Sequence, residues 1–272
     1  MLRHAFRAMG TEVELLLDAE PGEPSERALA AAEAEFERLE AVMSRFRPES
    51  ELSSLNREGS LEASPDLLRV VELALEARER TGGRFDPTVH DAVVAAGYDR
   101  TFEELAEDAP SSPPATPCGG GLEIDGGTIR LAPGVRLDLG GIGKGYAVDR
   151  ACELLAIAGP CLVNAGGDLA VRGGAWPVGV TEDVTLALSR GGIATSGRDR
   201  RRWRKGGREC HHLIDPLTGR SAETDLLRVT VVGASAAEAE VLAKAVFLGA
   251  DVDAPRVLLT SDGRTILAGG LG

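Results

Sequence analysis

The sequence predicts an α+β fold, in which strands and helices mix without the strict strand–helix–strand alternation of a doubly wound sheet. Three observations lead there. Period-two hydrophobic segments and segments with a three-and-four stripe follow one another along all 272 residues, with no internal repeat. The last third reads as short strands around a single helix. A hydrophobic content of 43% together with 34 glycines supplies both a sizeable core and the tight turns antiparallel strands need. One domain over residues 1–272 is expected, and a division into two lobes, if there is one, falls near 109–121.

Residues 11–18 (TEVELLLD) place Val13, Leu15 and Leu17 on one face, as a half-buried strand does. Ser25 is then positioned to cap a helix whose stripe is Leu29, Ala32, Phe36, Leu39, Met43 and Phe46, which makes Met43 and Phe46 core residues. A second helix opens at Ser64-Pro65, where the proline's missing N–H costs nothing. It ends near Thr81-Gly82-Gly83 and buries Leu68, Val71 and Leu75. The run APSSPPATPCGGG, Ala109 to Gly121, breaks every periodicity and reads as a loop or linker. Asp125-Gly126 supplies a hairpin turn, and a helix runs from about Gly145 to Ala158 with Gly159 beyond it. The segments CLVN, DLAVRG, VTLALS, HHLID, RVTVVG, RVLLTS and RTILAG read as strands. Among them a helix begins at Ser235, with Glu238 completing a capping box, and buries Ala239, Leu242, Ala243 and Val246.

Thirty Lys and Arg against 43 Asp and Glu give a net charge of −13, which argues against nonspecific nucleic-acid binding, since that depends on a basic surface. No apolar run reaches the ~18 residues needed to span a bilayer, and the opening MLRHAFRAMGTEVELLL lacks a signal peptide's apolar middle. A cytoplasmic location is the expectation. Cys118, Cys152, Cys161 and Cys210 include no CxxC pair, so zinc-ribbon and thioredoxin chemistry have no support and reduced thiols are expected. Lysine is rare here: Lys144, Lys205 and Lys244 are the only ones.

The segment DLGGIGKGYAVDRA, Asp138 to Ala151, carries the most chemistry. Gly140, Gly141 and Gly143 precede a helix that Gly145 opens, so a ligand's phosphates can approach the backbone and the helix N-terminus closely. The alternative is a turn that only needs glycine. It is neither a P-loop nor a GxGxxG fingerprint, because Asp138, Gly145 and Tyr146 stand at positions those motifs reserve for other residues. In HHLIDPLTG, His211 to Gly219, strand alternation sends the two imidazoles to opposite faces, so only one is expected to enter a site, where it could act as a general base; a satisfied core histidine is the alternative. A zinc site from Cys210, His211 and His212 is disfavoured because consecutive strand side chains diverge. TGGRFDPTVH, CLVNAGGDLAVRG and GIATSG have high polar density, though each alone is as readily a turn. RDRRRWRKGGR, Arg198 to Arg208, reads as a solvated hairpin protecting a sheet edge, with docking of an acidic partner as the alternative.

Taken in order, MGTEVEL (Met9 to Leu15), SRFRPESELSSLN (Ser44 to Asn56), TGGRFDPTV (Thr81 to Val89), DLGGIGKGYAVD (Asp138 to Asp149), VNAGGDL (Val163 to Leu169), ATSG (Ala194 to Gly197) and HHLIDPLTG resemble the ApbE family. Those flavin transferases cleave FAD and attach FMN to a threonine of a target flavoprotein. The resemblance covers nearly the whole chain. It implies a two-lobed, T-fold-like α+β architecture with mixed or antiparallel sheets and FAD in a cleft. Met9 and Phe46 would pack on the isoalloxazine, and Phe85, Asp86 and Lys144 would line the nucleotide. Gly140, Gly143, Asp149, Thr195, Ser196 and Lys244 are further expected FAD-binding positions, and His212 matches the family's catalytic base.

The implied reaction is attack of the acceptor's threonine hydroxyl on the FMN phosphorus with AMP leaving, a step that needs alignment and charge neutralisation. The resemblance also implies Mg²⁺, held by the Gly141 carbonyl and by an Asp and a Thr four residues apart on the late helix. The chain departs there, because AEVLAKA puts Glu240 and Lys244 at those positions. Glu followed by Lys at that spacing can form an ion pair, and an ammonium cannot ligate a metal. Either Lys244 lends its own charge to the pyrophosphate, or Glu240 keeps the ion while Lys244 swings outward. Repulsion between a divalent cation and a lysine favours the first. The altered pair leaves two alternatives to transfer open, a non-catalytic FAD-binding carrier or regulator and an FAD pyrophosphatase in which water replaces threonine.

Overall fold

The computed structural model describes residues 1–105 and 118–271, together with the backbone of Asp108 and Ala109. Strands β1 (Leu2–Ala8) and β2 (Thr11–Leu17) are followed by α1 (Glu23–Met43), α2 (Glu51–Glu58), β3 (Ser60–Glu62) and α3 (Pro65–Arg80). A 3-10 turn (Pro87–Val89) leads into the short α4 (His90–Ala95), then β4 (Asp108–Ala109), the hairpin β5 (Leu122–Asp125) and β6 (Thr128–Leu131), and α5 (Gly143–Leu155). The remainder is β7 (Cys161–Ala165), β8 (Asp168–Gly179), β9 (Thr185–Gly197), β10 (Arg202–Lys205), β11 (Arg208–His211), β12 (Ile214–Asp215), β13 (Arg220–Ser221), β14 (Leu226–Gly233), α6 (Ala236–Phe247), β15 (Arg256–Thr260) and β16 (Thr265–Ala268).

Eight strands form one sheet in the order β1-β2-β7-β8-β9-β14-β15-β16, antiparallel throughout. The α+β expectation holds. Alternation on β2 turns Val13, Leu15 and Leu17 inward against Ala32, Phe36, Leu39 and Met43 of α1 and Val148, Ala151 and Leu155 of α5. Helix α6 covers the β9–β14 part of the sheet, with Leu242, Val246 and Phe247 packed on Val229 and Val231. Almost every residue of α6 is buried, alanine on several sides, so neighbours approach its backbone closely. A Cβ at Gly145 of α5 would stand 2.6 Å from the Ala236 carbonyl oxygen, so the α5–α6 contact requires glycine there. No helix among the described residues is long and apolar enough to cross a membrane.

Several local expectations are corrected. Gly22, not Ser25, caps α1, and Ser25 instead donates its hydroxyl back to the Gly22 carbonyl at 2.8 Å. The stripe ends at Met43, and Phe46 lies past the helix, 37% exposed, so it is not core. Helix α3 buries Leu67, Val70, Val71, Ala74 and Ala77 rather than a face centred on Leu68 and Leu75, because the small alanines carry the close contact. Helix α2 has no counterpart in the sequence reading; Ser50 caps it by accepting from the Ser53 amide at 3.0 Å, and Gly59 ends it in the left-handed region. The β5–β6 turn is Gly126-Gly127, with Asp125 paired in the strand opposite Thr128. Ser235 caps α6, but the Glu238 carboxylate accepts from Ala234 rather than from Ser235, so the box closes one residue early. Of the proposed 109–121 loop, residues 110–117 lie outside the described residues. The four cysteines are free, with Cys152 and Cys161 buried together.

Candidate active site

The glycine turn before α5 is pinned from two sides. Asn56 brackets Leu137, donating to its carbonyl at 2.8 Å and accepting from its amide at 2.7 Å. The Asp138 carboxylate accepts from the Gly140 amide at 2.7 Å and pairs with Arg45 at 2.9 Å. Arg45 in turn donates to the Tyr98 carbonyl at 2.8 Å and lies 4.1 Å from the Phe46 ring centroid, a cation–π contact that holds the exposed ring in place. The β1–β2 turn points Met9 at the same space; Met9 has φ +50°, the one positive value at a non-glycine among the described residues.

Behind the turn, a buried ion cluster joins α5, β8 and α6. The Lys144 ammonium contacts Asp168 and lies 2.5 Å from Glu240, whose second carboxylate oxygen accepts from the Gly145 amide at 2.9 Å. Burial acts to lower the Lys144 pKa, but the two carboxylates outweigh it and hold it above the ordinary lysine range. Burial, then the Glu240 charge, push the Asp168 carboxyl up to about 7 against the pull of Lys144.

Lys244, one turn along α6 from Glu240, does not pair with it: among the described residues Lys244 forms no ion pair. Its ammonium lies against Gly141, where an added Cβ would overlap it. Burial pushes its pKa down, partly offset by Glu240 and Asp138, with Lys144 adding to the lowering and Asp168 opposing it.

His211 ends β11, and its imidazole is tied to the Ala222 carbonyl at 3.0 Å and set edge-on to Phe247, so it is the core histidine. His212 falls in the bend between β11 and β12 rather than in a strand, because the expected strand HHLID is divided there, β11 ending at His211 and β12 beginning at Ile214. Strand alternation therefore does not set the His212 direction; the His211 imidazole is packed and His212 lines both clefts. His212 Nδ1 is shielded from solvent and has no hydrogen-bond partner among the described residues. Burial first, then the nearby Lys244 and Arg201 charges, hold its pKa well below the usual histidine value, so the ring is neutral and able to accept a proton.

Two clefts, of about 340 and 360 Å³, meet at this wall. Gly140, Lys144, Arg201, His212 and Lys244 line both. Met9, Phe46, Phe85, Asp86, Gly141 and Gly143 line the first, beside Tyr98. Thr195, Ser196, Asp168 and Glu240 line the second, with Thr195 tied to Thr230 at 2.9 Å. The Asp86 carboxylate is engaged by the Thr88 amide and hydroxyl, at 2.8 and 2.7 Å, and by Arg78 at 3.0 Å. Asp149 is not brought into either cleft. Its carboxylate accepts from the Ala236 and Ala237 amides at 2.8 and 2.9 Å and so anchors the first turn of α6.

The residues that would hold Mg²⁺ do not fit it. Glu240 is committed to Lys144 and the Gly145 amide, and the ammonium beside Gly141 offers donors only. No cluster of three or more His, Cys, Asp or Glu suited to a metal occurs among the described residues.

Arg45, Tyr98 and Arg201 are site residues that the sequence reading passed over. Arg45 sits inside the SRFR block, and Arg201 inside the arginine run, where position alone does not separate it from its neighbours. That run forms a hairpin, β10–β11, as expected, with Arg202, Arg204 and Arg208 exposed, and it is pinned to the core at two residues. Trp203 is buried against Tyr98 and donates to the Ala96 carbonyl at 2.8 Å, and Lys205 donates to the Ala95 carbonyl at 2.8 Å.

Comparison with known proteins places the chain among relatives of one family. The chain is 31% identical to the FAD:protein FMN transferase of Rhodobacter capsulatus over 96% of its own length, spanning about half (54%) of that relative. It is 29% identical to the enzyme of the same name from Treponema pallidum, with 83% of this chain and 73% of that one covered. Its fold is that of the ApbE protein of Thermotoga maritima (TM-score 0.87, 24% identity, 98% and 96% of the two chains covered) and of the flavin transferase ApbE of Vibrio cholerae (TM-score 0.80, 23% identity, 98% and 96% covered). With residues 9–266 matching the model of the ApbE family, from the Met9 turn past the last helix, the chain belongs to that family.

Proposed function

We propose that the chain is an FAD:protein FMN transferase, moving FMN from FAD to a threonine hydroxyl of an acceptor flavoprotein with release of AMP. The observation that carries this is His212: a neutral imidazole whose Nδ1 has no partner among the described residues, on the wall where the two clefts meet, beside two lysines. FAD is a two-ended molecule whose diphosphate lies at its middle, and a junction between clefts suits it. The flavin belongs with Met9, Phe46 and Tyr98, where the apolar lining and the Arg45-braced rings offer a stacking surface.

In the transfer, His212 takes the proton from the threonine hydroxyl as its oxygen attacks the FMN phosphorus. The new O–P bond forms as the bridging P–O bond to AMP breaks, and AMP leaves with that bond's electron pair. Positioning and charge neutralisation supply most of the rate in such a step. A carrier has no use for a shielded proton acceptor at that junction, which favours an enzyme over a binding module.

The test incubates the chain with FAD and a threonine-containing acceptor flavoprotein, following AMP by chromatography and the acceptor by mass spectrometry. AMP with a gain of one FMN on the acceptor is expected. AMP with an unlabelled acceptor would assign hydrolysis instead, and neither product with tight FAD binding would assign a carrier.

A further inference from the structure

Lys244 and Arg201 both line this junction without an ion pair among the described residues, and of the two it is the Lys244 ammonium that lies against the glycine turn. Asp138 is taken by Arg45 at 2.9 Å, and Asp168 and Glu240 are both taken by Lys144. Among the described residues no carboxylate remains within ion-pair distance of the Lys244 ammonium. A half-buried charge held in this way is costly unless something completes it. Its surroundings say what that is. It faces both clefts, lies against Gly141 in the turn that opens α5, and shares the wall with Lys144 and Arg201. The absence of a side chain at Gly141 makes room for the ammonium there.

We propose that the Lys244 ammonium is the cation this chain supplies to the diphosphate of its nucleotide donor, standing where the family resemblance puts a divalent metal, so that the donor binds without one. This rests on the FAD reading above. The place that a carbonyl, an Asp and a Thr would make for an ion is here filled by a covalently tethered positive charge. Glu240, the remaining acidic residue of that set, has been turned to clamp Lys144 and the Gly145 amide. A single ammonium carries half the charge of Mg²⁺, and Arg201 on the same wall adds to the field that the diphosphate meets.

The experiment titrates FAD into the purified chain by flavin fluorescence, once with EDTA and once with excess MgCl₂, and repeats both titrations with Lys244→Met and Gly141→Ala. Riboflavin, which lacks phosphate, serves as the control ligand. The wild type is expected to bind FAD with affinities within about twofold in the two buffers, and Lys244→Met to bind it about tenfold or more weakly in both, with riboflavin affinity unchanged. Gly141→Ala keeps the lysine but fills its seat, and should weaken FAD in the same direction. Three results would overturn the inference: wild-type binding that collapses on chelation and returns with Mg²⁺; Lys244→Met that binds FAD as the wild type does; or a loss in Lys244→Met that falls equally on riboflavin. The first of these leaves the FAD reading standing. A wild type that binds FAD in neither buffer overturns both.

Discussion

The start of α5 and the middle of α6 each bring a lysine to the same wall, and the chain treats them oppositely. Lys144 is clamped by two carboxylates from different elements, one of which also holds the Gly145 amide, so it ties α5, β8 and α6 into one unit. Lys244 has none, and its burial lowers its pKa where the clamp raises that of Lys144. A charge matched inside the protein serves the fold, whereas one left open at a cleft is available to a ligand. Neither role follows from the residue type, since both side chains line the same two clefts.

That contrast can be broken by substitution. The largest effect should fall on chemistry alone: His212→Ala should reduce AMP release by about 10² to 10⁴-fold, the range of general-base catalysis, while FAD affinity by fluorescence stays nearly constant. Lys144→Met should act on the fold. It strands Asp168 and Glu240, each 4% exposed, and a loss of about 2–4 kcal/mol is expected in denaturant unfolding, kept to the lower side because the ammonium retains some solvent contact. Lys244→Met should leave unfolding stability equal or slightly raised, since it removes an uncompensated charge, and Lys144→Met and Lys244→Met having the same stability would erase the distinction. Gly145→Ala sharpens the structural side: its Cβ meets the Ala236 backbone, and about 1–3 kcal/mol of stability should be lost as α5 and α6 are forced apart.

The smallest expected effect is on pH dependence. His212 must be neutral to accept the proton, and its pKa is held down by burial, then by Lys244 from α6 and by Arg201, with His211 beside it adding a little and the Arg201 main chain opposing. Turnover should therefore stay level as pH falls through 6.5 and decline only well below that value. Lys244→Met removes one of the causes of lowering, so the acid limb of the kcat profile should move upward. An unmoved limb would show that Lys244 does not act on His212.

Much of this was legible in the sequence, for identifiable reasons. The β2 face, the α3 start at Ser64-Pro65 and the buried positions of α6 follow from periodicity and capping chemistry, which are local. The glycine turn, Lys144 and His212 could be singled out because their residue types are scarce or their spacing unusual. What the sequence could not show was long-range partnering. Glu240 and Lys244 sit four apart on one helix and invite a local ion pair, yet Glu240 is taken by Lys144, 96 residues away in sequence. Asp149 looks like part of the glycine motif but faces the next helix, whose amides it caps. Phe46 continues a helical stripe on paper, but the helix has ended by then and the ring is left facing the cleft.

The most direct test of the account is the structure of the chain with FAD bound in the presence of a chelator. The flavin is expected against Met9 and Phe46, the diphosphate within hydrogen-bond distance of the Lys244 Nζ, and the FMN phosphorus facing His212. FAD seated on another surface, or a diphosphate that leaves Lys244 and His212 untouched, would contradict it.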